Sequence, residues 1–234
     1  MAKTVTAYGN AQISTAQSKF GGASGLFDGA GDYLSTPDSD DWNFGSGDFT
    51  IDFWLRFISP PSNDFTILVA QYQDASNRML LYWDNRDATP NGMSFHFIIG
   101  GVLYGFTEPS LASQYSANTW YHIAMVRNGN NWYIFRNGIQ TATTSFSITY
   151  SDYSGVVTIG GETASAKYLN GYLDEFRVSK GIARWTSNFT PSASAYTADS
   201  YTKLLLHMDA FTDDDIIPSS GGGGAEIIFM GGVV

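Results

Sequence analysis

From residue 49 to 57 the chain reads Phe-Thr-Ile-Asp-Phe-Trp-Leu-Arg-Phe, so Phe49, Ile51, Phe53, Leu55 and Phe57 fall on one side of an extended segment. A period of two marks a β-strand with one buried face. The same reading predicts strands over 65–71, 78–83, 93–99, 102–107, 120–127, 132–136, 139–144 and 156–159. The breaks carry turn chemistry: Asn91-Gly92, Gly100-Gly101, Asn128-Gly129 and Asn137-Gly138 tolerate positive φ. Asn137-Gly138, set between two strand-like runs, is the strongest hairpin signal in the chain. Helical periodicity is nearly absent, and 179–185, the one stretch able to make a helical turn, is too short to form a layer. So many meandering strands without a helical layer predict an all-β fold, a two-sheet antiparallel jelly-roll β-sandwich.

A late strand, Asn170-Gly171-Tyr172-Leu173-Asp174-Glu175-Phe176-Arg177-Val178, carries two adjacent carboxylates. Strict alternation puts Asp174 and Glu175 on opposite faces with different partners, a calcium ion or an arginine being the expected one.

Composition narrows the function classes. The 234 residues are 43% hydrophobic and 15% aromatic, enough to bury one large core, and β-sandwiches of about 200–250 residues occur as single domains. The predicted division is a domain over 1–209 and a tail over 210–234. A net charge of −10 opposes a phosphate backbone, so nucleic acid is not an expected partner. With no cysteine, a disulfide framework, a thiolate metal site and a cysteine nucleophile are all excluded. No run approaches the ~20 apolar residues of a membrane span and residues 1–10 lack a signal-peptide core, so neither membrane insertion nor Sec export is expected.

Five runs then stand in a telling order: Gly25-Leu26-Phe27-Asp28-Gly29-Ala30-Gly31-Asp32-Tyr33-Leu34, Gly47-Asp48-Phe49-Thr50-Ile51-Asp52-Phe53-Trp54, Trp120-Tyr121-His122-Ile123-Ala124, Phe135-Arg136-Asn137-Gly138 and Gly171-Tyr172-Leu173-Asp174-Glu175-Phe176-Arg177. Together, over about 20–190, they resemble the concanavalin A-like, laminin-G-type jelly roll. The segments Ser179-Lys180-Gly181-Ile182-Ala183-Arg184-Trp185 and Leu204-Leu205-Leu206-His207-Met208-Asp209 are similar to the form found in virion proteins of tailed bacteriophages. In that form the Leu-Leu-Leu-His strand usually precedes the Phe-Asp-Gly segment; here it follows, as in a circular permutation. The strand over 203–208 is expected to complete the chain's own sandwich or to be donated to a neighbouring copy.

The resemblance implies a structural calcium site at Asp28, Asp32 and Asp174, carboxylates being suitable hard oxygen ligands. The alternative is that Asp28 and Asp32 make turn hydrogen bonds while Asp174 pairs with Arg177 or Arg56. His122 is expected to be a packed, hydrogen-bonded side chain rather than a general base. Glucanases of this fold carry a Glu-x-Asp-x-Glu or Glu-x-Asp-x-x-Glu strand, which is missing here: Glu108, Glu162, Glu175 and Glu226 are isolated, and no catalytic residue is expected. Loops mixing aromatic rings with amides and charges suit sugars, which puts Tyr72, Asp84, Asn85, Arg86 and Tyr153 forward as ligand-binding residues.

Beyond Thr212-Asp213-Asp214-Asp215 and a run of four glycines, Ile227, Ile228, Phe229 and Met230 form an apolar segment suited to docking and assembly. The expectation is thus a non-catalytic carbohydrate- or surface-binding module, a virion or extracellular component meeting a glycan or host surface. The alternative is a structural or decoration subunit that contacts virion proteins or its own copies through the C-terminal tail.

Overall fold

The alternating run over 49–57 is the centre of a sheet, paired antiparallel on one side with residues 120–127 and on the other with 171–180. The structure, a computed structural model, describes residues 3–86, 92–109 and 115–209, with the backbone of 227–229. Its strands are β1 (Val5–Tyr8), β2 (Gln12–Ser14), β3 (Ser24–Asp28), β4 (Tyr33–Thr36), β5 (Phe49–Phe57), β6 (Phe65–Asp74), β7 (Asn77–Asp84), β8 (Gly92–Ile99), β9 (Val102–Thr107), β10 (Trp120–Asn128), β11 (Asn131–Arg136), β12 (Ile139–Ser145), β13 (Val157–Ile159), β14 (Gly161–Glu162), β15 (Lys167–Tyr168), β16 (Asn170–Lys180), β17 (Thr202–Leu206) and β18 (Ile227–Phe229). No helix occurs among the described residues, so none is long and apolar enough to cross a membrane.

Two large sheets face each other. One runs β18-β1-β4-β13-β6-β7-β8-β9; the other runs β12-β11-β10-β5-β16-β3-β2, with β17 beside the second half of β16. All pairings are antiparallel except that of β18 with β1. Between the sheets, Phe49, Ile51, Phe53, Leu55 and Phe57 of β5 join one core with Val69, Leu81, Trp83, Phe95 and Phe97. Each such side chain contributes about 1.5–3 kcal/mol by leaving water. This is the predicted all-β jelly-roll sandwich.

Two features depart from simple alternation. First, the outer face of β5 is buried too. Residues 182–198 lie across it as an irregular strap, anchored where Phe189 N–H donates to the Gly138 carbonyl at 2.9 Å and where Trp185 and Phe189, stacked on each other at 3.9 Å, meet the His122 ring edge-on. No helical turn forms over 179–185; β16 continues to Lys180 and the strap follows. Second, β16 carries a bulge. Its register against β5 passes from Asp174 opposite Trp54 to Arg177 opposite Asp52, two residues against one, and Glu175 takes φ +52°. Leu173 and Phe176 therefore both enter the inter-sheet core. Asp174 and Glu175 both turn outward, toward the main chain of Phe20 and Tyr196, whose rings pack in one cluster with Trp54. The expected opposite facing of these two carboxylates is corrected by that extra residue.

Candidate functional site

The β3–β4 turn, the β5–β6 loop, the start of β6 and the short β14–β15 hairpin converge on a cleft of about 350 Å³. Asp28, Asp64, Phe65, Lys167, Tyr168 and Asn170 line it, with residues 59–62 as one lip. Lys167 Nζ lies 2.7 Å from both carboxylate oxygens of Asp64 and 5.1 Å from the Phe65 ring centre. The Arg86 guanidinium lies 4.5 Å from the same ring. Burial works against the Asp64 charge, but the Lys167 ammonium and the Phe65 N–H outweigh it and hold the carboxyl below its ordinary pKa.

Tyr168 can lie where it does because Gly161, opposite it in the hairpin, has no side chain; a Cβ there would stand 2.5 Å from the ring. From Tyr168 a run of rings crosses the outer face of the sheet: Tyr33 at 6.4 Å, then Tyr8 stacked on Tyr33 at 4.5 Å with planes 1° apart. Burial first, then the neighbouring phenols Tyr8 and Tyr168, push the Tyr33 hydroxyl pKa up. On the other side of the cleft, Phe65 meets Tyr82 at 5.8 Å, and Tyr82 meets His96 at 5.1 Å. The cleft thus lies between two runs of rings, Tyr8–Tyr33–Tyr168 on one side and Phe65–Tyr82–His96 on the other. Ring faces suit the C–H side of a pyranose and the flanking carboxylates and amides suit its hydroxyls.

Three of the five predicted ligand-binding residues stand beside this cleft. Asp84 is paired in register with Phe65 and grips Arg86 through Nε and Nη2, at 2.9 and 2.6 Å; at 2% exposure it supports the margin and, contrary to expectation, does not offer its own carboxylate to a ligand. Asn85 braces the lip, donating from its main-chain N–H to the Asp64 carbonyl and from Nδ2 to the Pro61 carbonyl. The other two are elsewhere. Tyr72 sits seven residues along β6 from Phe65, ~23 Å at strand rise, with Arg78 over its ring. Tyr153 is a core residue, 1% exposed, packed on Tyr150 and donating its hydroxyl to the Ile98 carbonyl. A buried ring cannot stack on a sugar, so Tyr153 is withdrawn from the site.

Asp28, Asp32 and Asp174 do not converge. Asp32 oxygens accept the main-chain N–H groups of Asn10 and Asp28 at 2.7 and 2.8 Å. Asp28 oxygens accept from Asn10 Nδ2 and Ala30 N–H. Asp174 lies four residues along β16 from Asn170, the residue opposite Asp28, ~13 Å at strand rise, and accepts from the N–H groups of Lys19 and Phe20. Carboxylates separated in this way do not fit a shared calcium ion, and the described residues contain no group of three His, Cys, Asp or Glu able to hold a metal. Neither predicted arginine pairs with Asp174: Arg177 binds Asp52, and Arg56 reaches Gln17 and Asn118.

On the far sheet, under the strap, lies a buried polar layer. Asp52 takes two hydrogen bonds from Arg177, at 3.0 and 2.8 Å. His122 Nε2 meets the Tyr196 hydroxyl at 2.8 Å, and Trp54, Trp185 and Phe189 enclose its ring. At 1% exposure His122 is a packed structural histidine, as its strand predicted. Of the apolar tail, Ile227, Ile228 and Phe229 pair parallel with Val5, Thr6 and Ala7 at the sheet edge; Met230 lies outside the described residues.

A sequence model described as the concanavalin A-like lectin/glucanases superfamily, of laminin-G type, matches residues 28–184. No curated protein is detectably similar in sequence. Among solved structures, the binding domain of Paraclostridial Mosquitocidal Protein 1 is 18% identical, with a TM-score of 0.59 over 77% of this chain and 44% of that one. Domain 4 of AbnA, a GH43 extracellular arabinanase from Geobacillus stearothermophilus solved in complex with arabinotriose, is 14% identical, with a TM-score of 0.55 over 77% and 83%. The enzymatically active domain of tailspike protein 2 from bacteriophage CBA120 is 12% identical, with a TM-score of 0.61 over 89% and 33%. This chain therefore spans less than half the length of the toxin and tailspike chains. At such identities the likeness establishes the fold alone.

Proposed function

Because the chain belongs to the concanavalin A-like lectin/glucanase superfamily through its residues 28–184, we propose that it is a non-catalytic module that binds glycans in the cleft between Asp28, Phe65 and Tyr168. The observation that carries this reading is the convergence, on one open cleft, of two aromatic rings with Asp28, Asp64, Lys167 and Asn170. That combination offers stacking surface and hydroxyl partners on a rigid sheet. The arabinotriose bound to domain 4 of AbnA is consistent with sugar recognition on this architecture.

The non-catalytic part rests on the carboxylates. A glycosidase needs a pair flanking the bond to be cut. Glu108 accepts from Met93 N–H and the Tyr115 hydroxyl, Glu162 caps the Ala164 and Ser165 N–H groups, and Glu175 is held by Tyr196 and His207. Each of these three is engaged in holding the fold. Titration calorimetry with neutral oligosaccharides tests the reading: wild type binds, and Tyr168→Ala binds at least about tenfold more weakly at an unchanged melting temperature. Failure of wild type to bind any glycan at millimolar concentration sinks it.

A second reading has its own observation, the parallel pairing of residues 227–229 with β1. The same strand donated to another copy would join protomers edge to edge, as expected of a virion structural or decoration subunit. The virion or extracellular setting itself rests on the phage-like segments at 179–185 and 204–209. Light scattering with and without residues 219–234 tests assembly; a monomer in both cases removes it.

A further inference from the structure

The charges around the cleft are unevenly satisfied. The Lys167 ammonium is shared between both oxygens of Asp64, and Arg86 at the margin is clamped by Asp84. Each of these pairs sums to no net charge. Asp28 is different: its hydrogen bonds come from the uncharged Asn10 amide and Ala30 N–H, and it lines the cleft with no lysine or arginine bonded to it among the described residues. The carboxyl of Asp32 stands immediately behind, bonded to the Asp28 N–H. Beyond the cleft the whole chain carries a net charge of −10.

From this arrangement we infer that the cleft takes uncharged glycans and turns away glycans bearing carboxylates, such as sialic or uronic acids. The inference rests on the glycan-binding reading above. An incoming carboxylate would meet Asp28 without a counter-ion, and could recruit Lys167 only by displacing Asp64 from a two-oxygen contact. Sugar hydroxyls face neither obstacle. They donate to Asp28 and to the outer lone pairs of Asp64. Asp64 is the selectivity residue: it keeps the Lys167 ammonium occupied, so the site recognises hydroxyls rather than anions.

The test is an array on which each neutral oligosaccharide stands beside its sialylated or uronic counterpart, probed at low ionic strength with wild type and Asp64→Asn. Melting curves establish that the variant is folded; Asp64 is half-exposed and its amide keeps an acceptor for the Phe65 N–H. Wild type should bind neutral glycans and bind their carboxylated partners at least about tenfold more weakly. Asp64→Asn, which releases Lys167, should narrow that gap. Equal or tighter wild-type binding of the carboxylated partners overturns the inference while leaving glycan binding intact. A gap that Asp64→Asn leaves unchanged overturns the role given to Asp64 and Lys167. Binding to neither class removes the glycan reading and this inference with it.

Discussion

Glu175 Oε1 lies 2.8 Å from His207 Nδ1, so a bulged residue in β16 holds the chain just beyond β17. Its other oxygen accepts the Tyr196 N–H at 2.6 Å and so fastens the strap. One carboxylate thereby ties two late segments to the centre of the sheet.

Replacing Glu175 with alanine should leave the buried Tyr196 N–H and the His207 ring without their acceptor. A lost hydrogen bond to a charged group costs about 1.5–3 kcal/mol, so urea unfolding of Glu175→Ala should show a loss of at least that order. Glu175→Gln, which keeps an acceptor and the same length, should lose clearly less. Equal losses in the two variants would contradict the assignment.

Asp174 should make stability depend on pH. Burial, added to by the neighbouring Glu175 charge and only partly offset by the Lys19 and Phe20 N–H groups, raises its carboxyl from 3.8 to about 7. The folded state then holds a proton that the unfolded chain has released. This contribution is present at low pH, declines as pH rises from about 4 to about 7, and is absent above that. Melting temperature followed across this window should show a downward component in wild type that Asp174→Asn lacks.

The Asp52–Arg177 pair is buried beneath the strap, with the guanidinium 4.1 Å from the Tyr196 ring centre. Arg177→Met removes both guanidinium hydrogen bonds from a buried carboxylate, leaving it His122 Nε2 at 3.6 Å, and should cost about 3–5 kcal/mol. Adding Asp52→Leu should recover most of that loss, because the uncompensated charge is the damage. A double variant no more stable than Arg177→Met would show the pair to matter for shape alone.

Chelation should leave the melting temperature unchanged. Asp28 and Asp32 accept main-chain and amide donors in one place, and Asp174 stands four residues along β16 from the residue opposite Asp28, too far to share an ion with them. A drop of several degrees with EDTA, reversed by calcium, would contradict this arrangement.

The alternation in β5 and the Asn-Gly turns made the sandwich legible, because strand identity and hairpin closure are local properties of neighbouring residues. The short strands β1 to β4 escaped the pattern; with three to five residues each, they hold too few positions to establish a period. The Tyr8–Tyr33 stack had a faint signal all the same. Tyr33 precedes the buried Leu34 and Tyr8 follows the buried Ala7, so both rings occupy solvent-side parity in their strands.

By itself the sequence determined the fold class, the family and the inward face of the long strands, since these follow from the period of apolar side chains and from motifs contiguous in the chain. Only the tertiary structure decided the cleft and the fate of the carboxylates. Asp28, Asp64 and Lys167 are drawn together from positions far apart in sequence, and the extra residue in β16 turns Asp174 and Glu175 onto one face. Which partner satisfies a buried charge depends on what packs across from it, and that is settled by long-range register rather than by neighbours along the chain.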